Sequence, residues 1–249
     1  MQRGRGRGKG RPVYNAPMIT AERFATGMTF DEYVRYAGSP ENLAREAGWW
    51  LGPQRHDFSG FLRAWYTRMQ LSSYQMDAIR WLASQPGGPA KVLVISEEWS
   101  SDCRRDVPAL ARLAEAGGLE LRVFPRDGRK VGRGPRADPV ATPNADIVNE
   151  FLNEKDGQTF QSVPVAAFLT KDWRCVYRYI EFPAIYHKER LFTAMQVPRP
   201  GETREQAWPR FIADWGALQQ SPFYVLWASA AIDEILAALH ERLVAGPPA

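Results

Sequence analysis

The sequence predicts a protein of the α/β class, with a four-stranded sheet at its centre and helical extensions on both sides. The centre is residues 89–182, where strand and helix patterns alternate in the order β-α-β-α-β-β. Residues 21–88 and 183–249 place apolar residues at helical spacing, and residues 1–20 form a basic Arg/Gly tail that we expect to be disordered. The last segment is expected to pack on the core or to supply its final helix. The core then has the order βαβαββα.

The N-terminal extension is predicted to consist of short helices. Ser72 and Gln75 form a capping-box pattern, in which each side chain reaches the backbone N–H of the other residue. Residues 85–89, Gln-Pro-Gly-Gly-Pro, break the helical pattern before the sheet begins. Helices are predicted over residues 29–36, 42–48, 58–69 and 76–83.

The elements of the core have their own start and stop signals. Residues 91–96 are an apolar run typical of a strand buried on both faces. Gly117-Gly118 ends the helix that follows, and this crossover makes the first two strands parallel. Lys171-Asp172 is a turn between the last two strands. Strands are predicted over residues 91–96, 119–124, 163–169 and 174–180, helices over 103–116 and 145–155, and a basic, solvated loop over 126–143.

Two helices are predicted in the C-terminal extension. Thr203 and Gln206 are placed to cap the first, which Pro209 is expected to interrupt or to restart one turn later. Ser221-Pro222 introduces a longer helix with apolar residues at steps of three and four. The sequence leaves open which of the two completes the core.

The composition is that of a soluble globular protein: 45% of the 249 residues are hydrophobic and 24% are charged. The most apolar stretch, residues 223–232, is too short to span a bilayer, so we expect no membrane insertion. Two cysteines, Cys103 and Cys175, make no disulfide framework and indicate a reducing cytoplasm, although a bond between them is left open. Three scattered histidines show no metal-ligand spacing, and no metal or cofactor is expected.

The basic character of the chain comes from its first twelve residues, which hold five basic side chains and no acid. Without these five, the chain has 27 basic and 28 acidic residues. The tail is either a flexible solubilising arm or a weak, salt-sensitive anchor for nucleic acid or another polyanion. Its basic residues are Arg3, Arg5, Arg7, Lys9 and Arg11.

The segment Trp99-Ser100-Ser101-Asp102-Cys103 lies between the first strand and its helix, and Pro108 follows Cys103 by five residues. It resembles the active-site turn of the thioredoxin superfamily, W-C-x-x-C followed by proline. Val163-Pro164, at the start of the third strand, resembles the cis-proline loop of that superfamily. The sequence is most similar to uncharacterised thioredoxin-family proteins with a helical N-terminal extension and a C-x-D-C type motif. The resemblance covers about residues 25–185 and departs from the family at Ser100 and in the loop 126–143.

The resemblance implies thiol–disulfide exchange, a role in cell redox homeostasis, but with a degenerate S-x-x-C site. In the family the first cysteine attacks a disulfide and the second resolves the mixed disulfide. These roles fall on Ser100 and Cys103, and a serine forms no disulfide. We therefore expect at most weak or single-thiol activity through Cys103, with a partner protein as substrate. The resemblance places the substrate-binding groove at Trp99, Ser101, Asp102, Val163 and Pro164.

The alternative is a redox-inactive binding or scaffold module that uses the same groove and an aromatic surface. Ser100 as N-cap and Asp102 in the first turn are what an ordinary helix start requires. Cys175 is expected to be a small buried hydrophobe, and Trp49-Trp50, Trp65 and Trp81 to pack between the extension and the sheet. The sequence does not favour a serine hydrolase or a phosphate-binding loop, because G-x-S-x-G and G-K-[ST] are both missing.

Overall fold

The computed structural model describes residues 19–48 and 54–246. Ten helices and six strands lie within these ranges. The N-terminal extension contains five of the helices: α1 (Ala21–Ala25), α2 (Phe30–Ala37), α3 (Pro40–Leu43), α4 (Ser59–Arg68) and α5 (Ser73–Ser84).

The predicted capping box at Ser72 is present: its side chain accepts the N–H of Gln75, whose side chain accepts the N–H of Ser72. The helix expected over residues 42–48 is wrong, because α3 begins after its N-cap Ser39 and ends at Leu43. The first described residues belong to the fold. Ile19 is buried in the core and Thr20 caps α1, although both were assigned to the tail.

The sheet is four-stranded and mixed, as the sequence predicts. Strand β1 (Lys91–Ser96) lies between β2 (Glu120–Pro125), which is parallel to it, and β5 (Val165–Leu169), which is antiparallel. Strand β6 (Cys175–Ile180) pairs antiparallel with β5 at the edge. The sheet order is therefore β2-β1-β5-β6, and the α/β fold class is confirmed.

Helix α6 (Ser101–Gly117) connects β1 to β2 and buries most of its residues. It ends at Gly118, whose positive φ of 65° is the left-handed conformation that glycine adopts without strain. Pro108 lies inside α6. Because α6 begins just after the buried central strand β1, its first turn lies at the carboxyl end of that strand.

The helix predicted over residues 145–155 is wrong in its second half. Helix α7 (Ala145–Glu150) ends early, and β3 (Asn153–Lys155) pairs with β4 (Gln158–Phe160) as a separate hairpin. Its turn is Asp156-Gly157, in which both residues have positive φ. Asp-Gly with two positive φ angles is the turn that two-residue hairpins prefer, and here it outweighs helical propensity.

Three helices follow the sheet: α8 (Lys188–Gln196), α9 (Arg204–Leu218) and α10 (Pro222–Ala245). Thr203 caps α9 as predicted, but Pro209 lies inside that helix and does not interrupt it. Helix α10 packs against α5, α6 and β6. The longer helix is therefore the one that covers the sheet.

Helix α10 is long and apolar enough to cross a membrane by length and composition, which the short stretch considered in the sequence did not indicate. In this fold, 44% of its most apolar window is buried. Tyr224, Trp227, Ile232 and Ile235 are among the side chains that it contributes to the core. Packing on the sheet accounts for much of its apolar character.

The predictions for the tryptophans and for Cys175 are confirmed only in part. Trp65 is buried and its Nε1 donates to the carbonyl of Arg105 at 2.8 Å. Trp81 is exposed, contrary to expectation, and lies beside His240. Cys175 is only partly buried, and both cysteines are free thiols. Trp49-Trp50 lie outside the described residues.

Candidate active-site turn and its cavity

The turn between β1 and α6 places Ser100 at the N-cap of α6, with extended backbone angles. Its side chain makes no capping hydrogen bond, so the capping role predicted for it is not seen. Trp99, one residue earlier, donates its Nε1–H to Asp127 at 3.1 Å. Ser100 is largely buried, but it lines a cavity at the edge of the sheet.

Cys103 lies one turn further along α6 and points into the core. Its thiol is fully buried, and its Sγ accepts the backbone N–H of Glu97 at 3.4 Å. Burial raises the pKa of Cys103 to about 12, although hydrogen bonds with Ser96, Glu97 and Ser100 oppose the shift. At neutral pH this sulfur is a protonated thiol.

The Val163–Pro164 peptide bond is cis and leads directly into β5. Val165 pairs with Ile95 near the end of β1, and Val163 lines the same cavity as Ser100. The carbonyl of Pro164 accepts the N–H of Glu181 at 2.8 Å. The structure therefore brings Ser100 and the Val163-Pro164 loop together.

Two other residues expected in the groove are buried beneath it. The carboxylate of Asp102 contacts Arg105 at 3.1 Å and also pairs with Lys188. The carbonyl of Ser101 accepts the hydroxyl of Tyr224 at 2.5 Å. Neither residue is part of the cavity lining. Their contacts with Tyr224 and Lys188 fasten the turn to the C-terminal helices.

The cavity has a volume of about 680 Å³, within the range of about 300–1,000 Å³ usual for ligand sites. The turn contributes Trp99 and Ser100 to the lining, and the loop before β5 contributes Val163, whereas Pro164, which was also expected in the groove, is not a lining residue. The walls come from segments outside the central sheet. Sequence reasoning missed most of these wall residues, because they are far from the turn along the chain. The lining residues are Trp99, Ser100, Arg126, Gly132, Arg133, Gly134, Pro135, Gln158, Thr159, Phe160, Gln161, Ser162, Val163, Glu181 and Lys188.

The loop 126–143 forms one wall and is not simply solvated, as was predicted. Arg126 is buried, with its Nε 2.8 Å from Asp127 and another guanidinium nitrogen 2.8 Å from the carbonyl of Gln161. Glu46 of the N-terminal extension accepts the N–H of Val131 at 2.9 Å and pairs with Arg133 at 2.6 Å. The N-terminal extension thus holds the loop beside the turn.

Behind the turn lies a buried cluster of opposite charges. Arg55 contacts Glu97 at 2.7 Å and Glu98 at 2.6 Å, and Arg45 contacts Glu97 at 2.8 Å. Burial raises the pKa of Glu97, and the nearby Asp127 raises it further, while the two arginines oppose the shift. The two glutamates follow β1 directly, so the cluster fastens the N-terminal extension to the end of this strand.

A second buried cluster joins α6 to β6. Arg105 contacts Asp106 at 2.7 Å, and the hydroxyl of Tyr179 donates to Asp106 at 2.8 Å. Burial raises the pKa of Asp106 to about 6, against the effect of Arg105. Together with the pairing of Asp102 to Lys188, these contacts connect the first turns of α6 to β6 and α8.

No group of three or more His, Cys, Asp or Glu side chains is placed to hold a metal ion in residues 19–48 and 54–246. The five basic tail residues predicted to bind a polyanion, from Arg3 to Arg11, lie outside those ranges. Polyanion binding by the tail therefore stays a prediction that rests on the sequence alone.

Comparisons with known proteins give one family match. A sequence family described as thioredoxin matches residues 59–131, which include the turn, α6 and β2. This match supports a thioredoxin-like domain in the chain. No curated protein matches the sequence.

Two solved structures match the chain at low sequence identity. A protein of unknown function from Pseudomonas aeruginosa is 13% identical, with a TM-score of 0.49, over 89% of this chain and 98% of its own. An HIV epitope-scaffold is 16% identical, with a TM-score of 0.46, over 88% of this chain and 96% of its own.

Proposed function

We propose that this thioredoxin-like protein is a binding module, which holds an extended segment of a partner protein beside Ser100 and the Val163-Pro164 loop without thiol–disulfide exchange. The observation that carries the proposal is the state of Cys103: its thiol is fully buried and its pKa is raised to about 12. Only a thiolate attacks a disulfide, and a buried thiol of this pKa supplies almost none at neutral pH.

The other residue of the motif does not replace the missing nucleophile. A serine hydroxyl needs an adjacent general base, which is usually a histidine. No histidine lines the cavity within the described part of the chain. Lys188, the lining lysine, is paired with Asp102, and this contact raises its pKa against the effect of burial. A protonated ammonium group does not accept a proton from Ser100.

What the turn retains is a place for a ligand. Ser100 and Val163 meet at a cavity, and β5 starts next to it. In the superfamily that the sequence resembles, the proline loop pairs its backbone with an extended peptide. An exposed aromatic ring, Phe160, also lines the cavity and offers apolar contact area.

The competing function is weak or single-thiol exchange through Cys103, as the motif by itself suggests. It requires local opening of the first turn of α6, because the sulfur has no access to a partner in the folded state. The two functions differ in one measurable way: a binding module does not need the sulfur atom of Cys103.

The test is selection of ligands from a displayed library of random peptides on the full chain, followed by measurement of Kd by fluorescence polarisation. We expect Cys103→Ser to bind the selected peptides within about twofold of the wild type, with no effect of dithiothreitol. Phe160→Ala should weaken binding about fivefold or more, as for an aromatic contact residue. Phe223→Ala is the matched control, because Phe223 is an exposed phenylalanine of α10 outside the cavity lining.

Two results would contradict the proposal. One is binding that depends on Cys103 and is released by dithiothreitol, which indicates a mixed disulfide and the single-thiol function. The other is selection of no peptide whose binding distinguishes Phe160→Ala from Phe223→Ala.

We also propose that the protein acts in the cytoplasm and that its basic tail tethers it to a polyanion. Both rest on the sequence: two free cysteines and five basic residues in the first twelve. Deletion of residues 1–12 should abolish salt-sensitive retention on heparin, and unchanged retention would reject the tether.

A further inference from the structure

The cavity beside Ser100 is built mainly by additions to the central sheet. The loop 126–143 supplies one wall, the β3–β4 hairpin a second, and Lys188 at the start of α8 a third. Because these segments supply most of the lining, they determine which ligand fits above the turn.

The charged side chains of these walls are mostly basic. Arg126, Arg133 and Lys188 line the cavity, and the one acid of the lining is Glu181. The side chain of Arg133 is largely exposed, whereas the side chain of Lys188 is about one-quarter exposed. The charge balance of the lining therefore favours an anionic group of a ligand.

Each of these three cations is paired with an acid that is not part of the lining, and for Arg133 this acid is Glu46. Asp127 pairs with Arg126, and Asp102 pairs with Lys188, yet both acids are buried and absent from the lining. A ligand in the cavity meets the cations before the acids. The N-terminus of the 17-residue helix α6, at Ser100, adds partial positive charge at the same place.

Gln161 provides an independent indication of a ligand. Its Nε2 donates to the carbonyl of Gly134 at 2.8 Å, which fixes the orientation of the amide. Its Oε1 has no hydrogen-bond partner, although the residue lines the cavity and is only 8% exposed. A buried acceptor without a partner is destabilising, and a ligand N–H that reaches it removes this cost.

These requirements fit a peptide better than a free anion. A peptide supplies an N–H donor for Gln161 from its backbone and an apolar side chain for Phe160, which is 41% exposed. A carboxylate or phosphate ion by itself supplies neither. An aspartate or glutamate side chain on that peptide supplies the negative charge that the cations favour.

We propose that the partner segment bound beside Ser100 is an acidic peptide, whose carboxylate pairs with Lys188 and Arg133 while a backbone N–H donates to Gln161. This inference rests on the proposed peptide-binding function and adds the chemical class of the ligand. It also assigns specificity to residues outside the thioredoxin-like motif.

The test uses the full chain and the peptides selected from the displayed library. Aspartate or glutamate should be enriched at one position of these peptides. Replacing that acid by its amide should weaken binding to the wild type about tenfold or more, as for a hydrogen bond with a charged group. With Lys188→Gln the same replacement should weaken binding by only about two- to fivefold, because Arg133 alone is left to pair with the acid.

Lys188 and Arg133 need different control experiments. Lys188→Gln leaves Asp102 paired with Arg105, and its urea unfolding midpoint is compared with that of the wild type to confirm folding. Arg133→Gln should weaken binding about two- to fivefold, because Arg133 is exposed and pairs only at the surface. Arg174→Gln is the matched control: Arg174 is also exposed and paired with an acid, but it lies in the turn between β5 and β6.

The outcomes separate this inference from the function on which it rests. Peptides that bind in the cavity without acidic enrichment, and that Lys188→Gln and Arg133→Gln leave unaffected, would overturn the acidic class and keep the binding module. Displacement of the peptides by free glutarate at a concentration near the peptide Kd would overturn the peptide in favour of a small dicarboxylate. Selection of no cavity-dependent peptide would overturn both.

Discussion

A chain in which Cys175 is replaced by serine keeps Cys103 as its sole thiol, and the reactivity of that thiol can be calculated. The ordinary pKa of a cysteine is 9.0, and burial raises the pKa of Cys103 to about 12. At pH 7 this shift lowers the thiolate fraction by about 1,000-fold relative to an ordinary cysteine. The fully buried position of the sulfur slows the reaction further, because the reagent must wait for local opening.

Part of this loss is recovered, because a thiolate of higher pKa is the better nucleophile. With a Brønsted coefficient of about 0.4–0.5, three pKa units raise the intrinsic reactivity about 16- to 32-fold. The net effect of ionisation is a reaction roughly 30- to 60-fold slower than that of a cysteine in a short peptide. Restricted access makes this factor a minimum.

The assay is the rate of alkylation by iodoacetamide at pH 7, followed by mass spectrometry on the Cys175→Ser chain. The native protein should react at least about 30-fold more slowly than a cysteine-containing peptide. The same chain in concentrated urea should match the peptide, which shows that the thiol is intact. A native rate within about fivefold of the peptide would refute the reasoning from burial and restore Cys103 as a candidate nucleophile.

Three further changes have defined expectations. Ser100→Cys should form a disulfide with Cys103 on mild oxidation, which is detected as a mass loss of about two daltons. Ser101→Cys is the control and should form no such disulfide, because residues two apart on a helix face different directions. Arg55→Ala should lower the free energy of unfolding in urea by about 3–5 kcal/mol, because two buried glutamates lose a cation; Arg23→Ala, in a surface pair, should cost no more than about 1 kcal/mol. The free energy of unfolding should fall as the pH rises from 9 to 12, because the Cys103 thiol ionises in this range in the unfolded chain but not in the folded one. Cys103→Ala should reduce the slope of unfolding free energy against pH by up to about 1.4 kcal/mol per pH unit. Each prediction has an outcome that would contradict it. These outcomes are equal disulfide formation in Ser100→Cys and Ser101→Cys, a loss of stability in Arg55→Ala as small as that in Arg23→Ala, and a pH slope that Cys103→Ala leaves unchanged.

The parts of the fold that the sequence predicts are those set by neighbouring residues. The box of Ser72 and Gln75, the glycine at 118 and the apolar strand 91–96 all depend on contacts or conformations within a few residues. The hairpin at Asp156-Gly157 is also local, but its strands have only three residues each, so a helical pattern was preferred. Asp-Gly can end a helix as well as turn a hairpin, and only the pairing of β3 with β4 distinguishes the two.

The site was predictable only in its centre. Ser100 and Val163-Pro164 were placed together because a family motif connects them across the sheet. The cavity walls were not, since Arg126 contacts Gln161 and Lys188 contacts Asp102 across 35 and 86 residues of sequence. Pairing over such distances depends on the tertiary fold, and periodicity or motif spacing contains no signal for it.

The presence of serine at position 100 agrees with the way in which the turn is fastened. In a dithiol enzyme the first turn of the helix must remain accessible to a partner disulfide. Here the Ser101 carbonyl is bonded to Tyr224 and Asp102 is bonded to Lys188, so two C-terminal helices hold the turn from below. Ser100 lines the cavity, and Cys103 lies in the core. A ligand that enters from the cavity therefore meets the hydroxyl and the surrounding cations, and it reaches no sulfur unless these buried contacts open first.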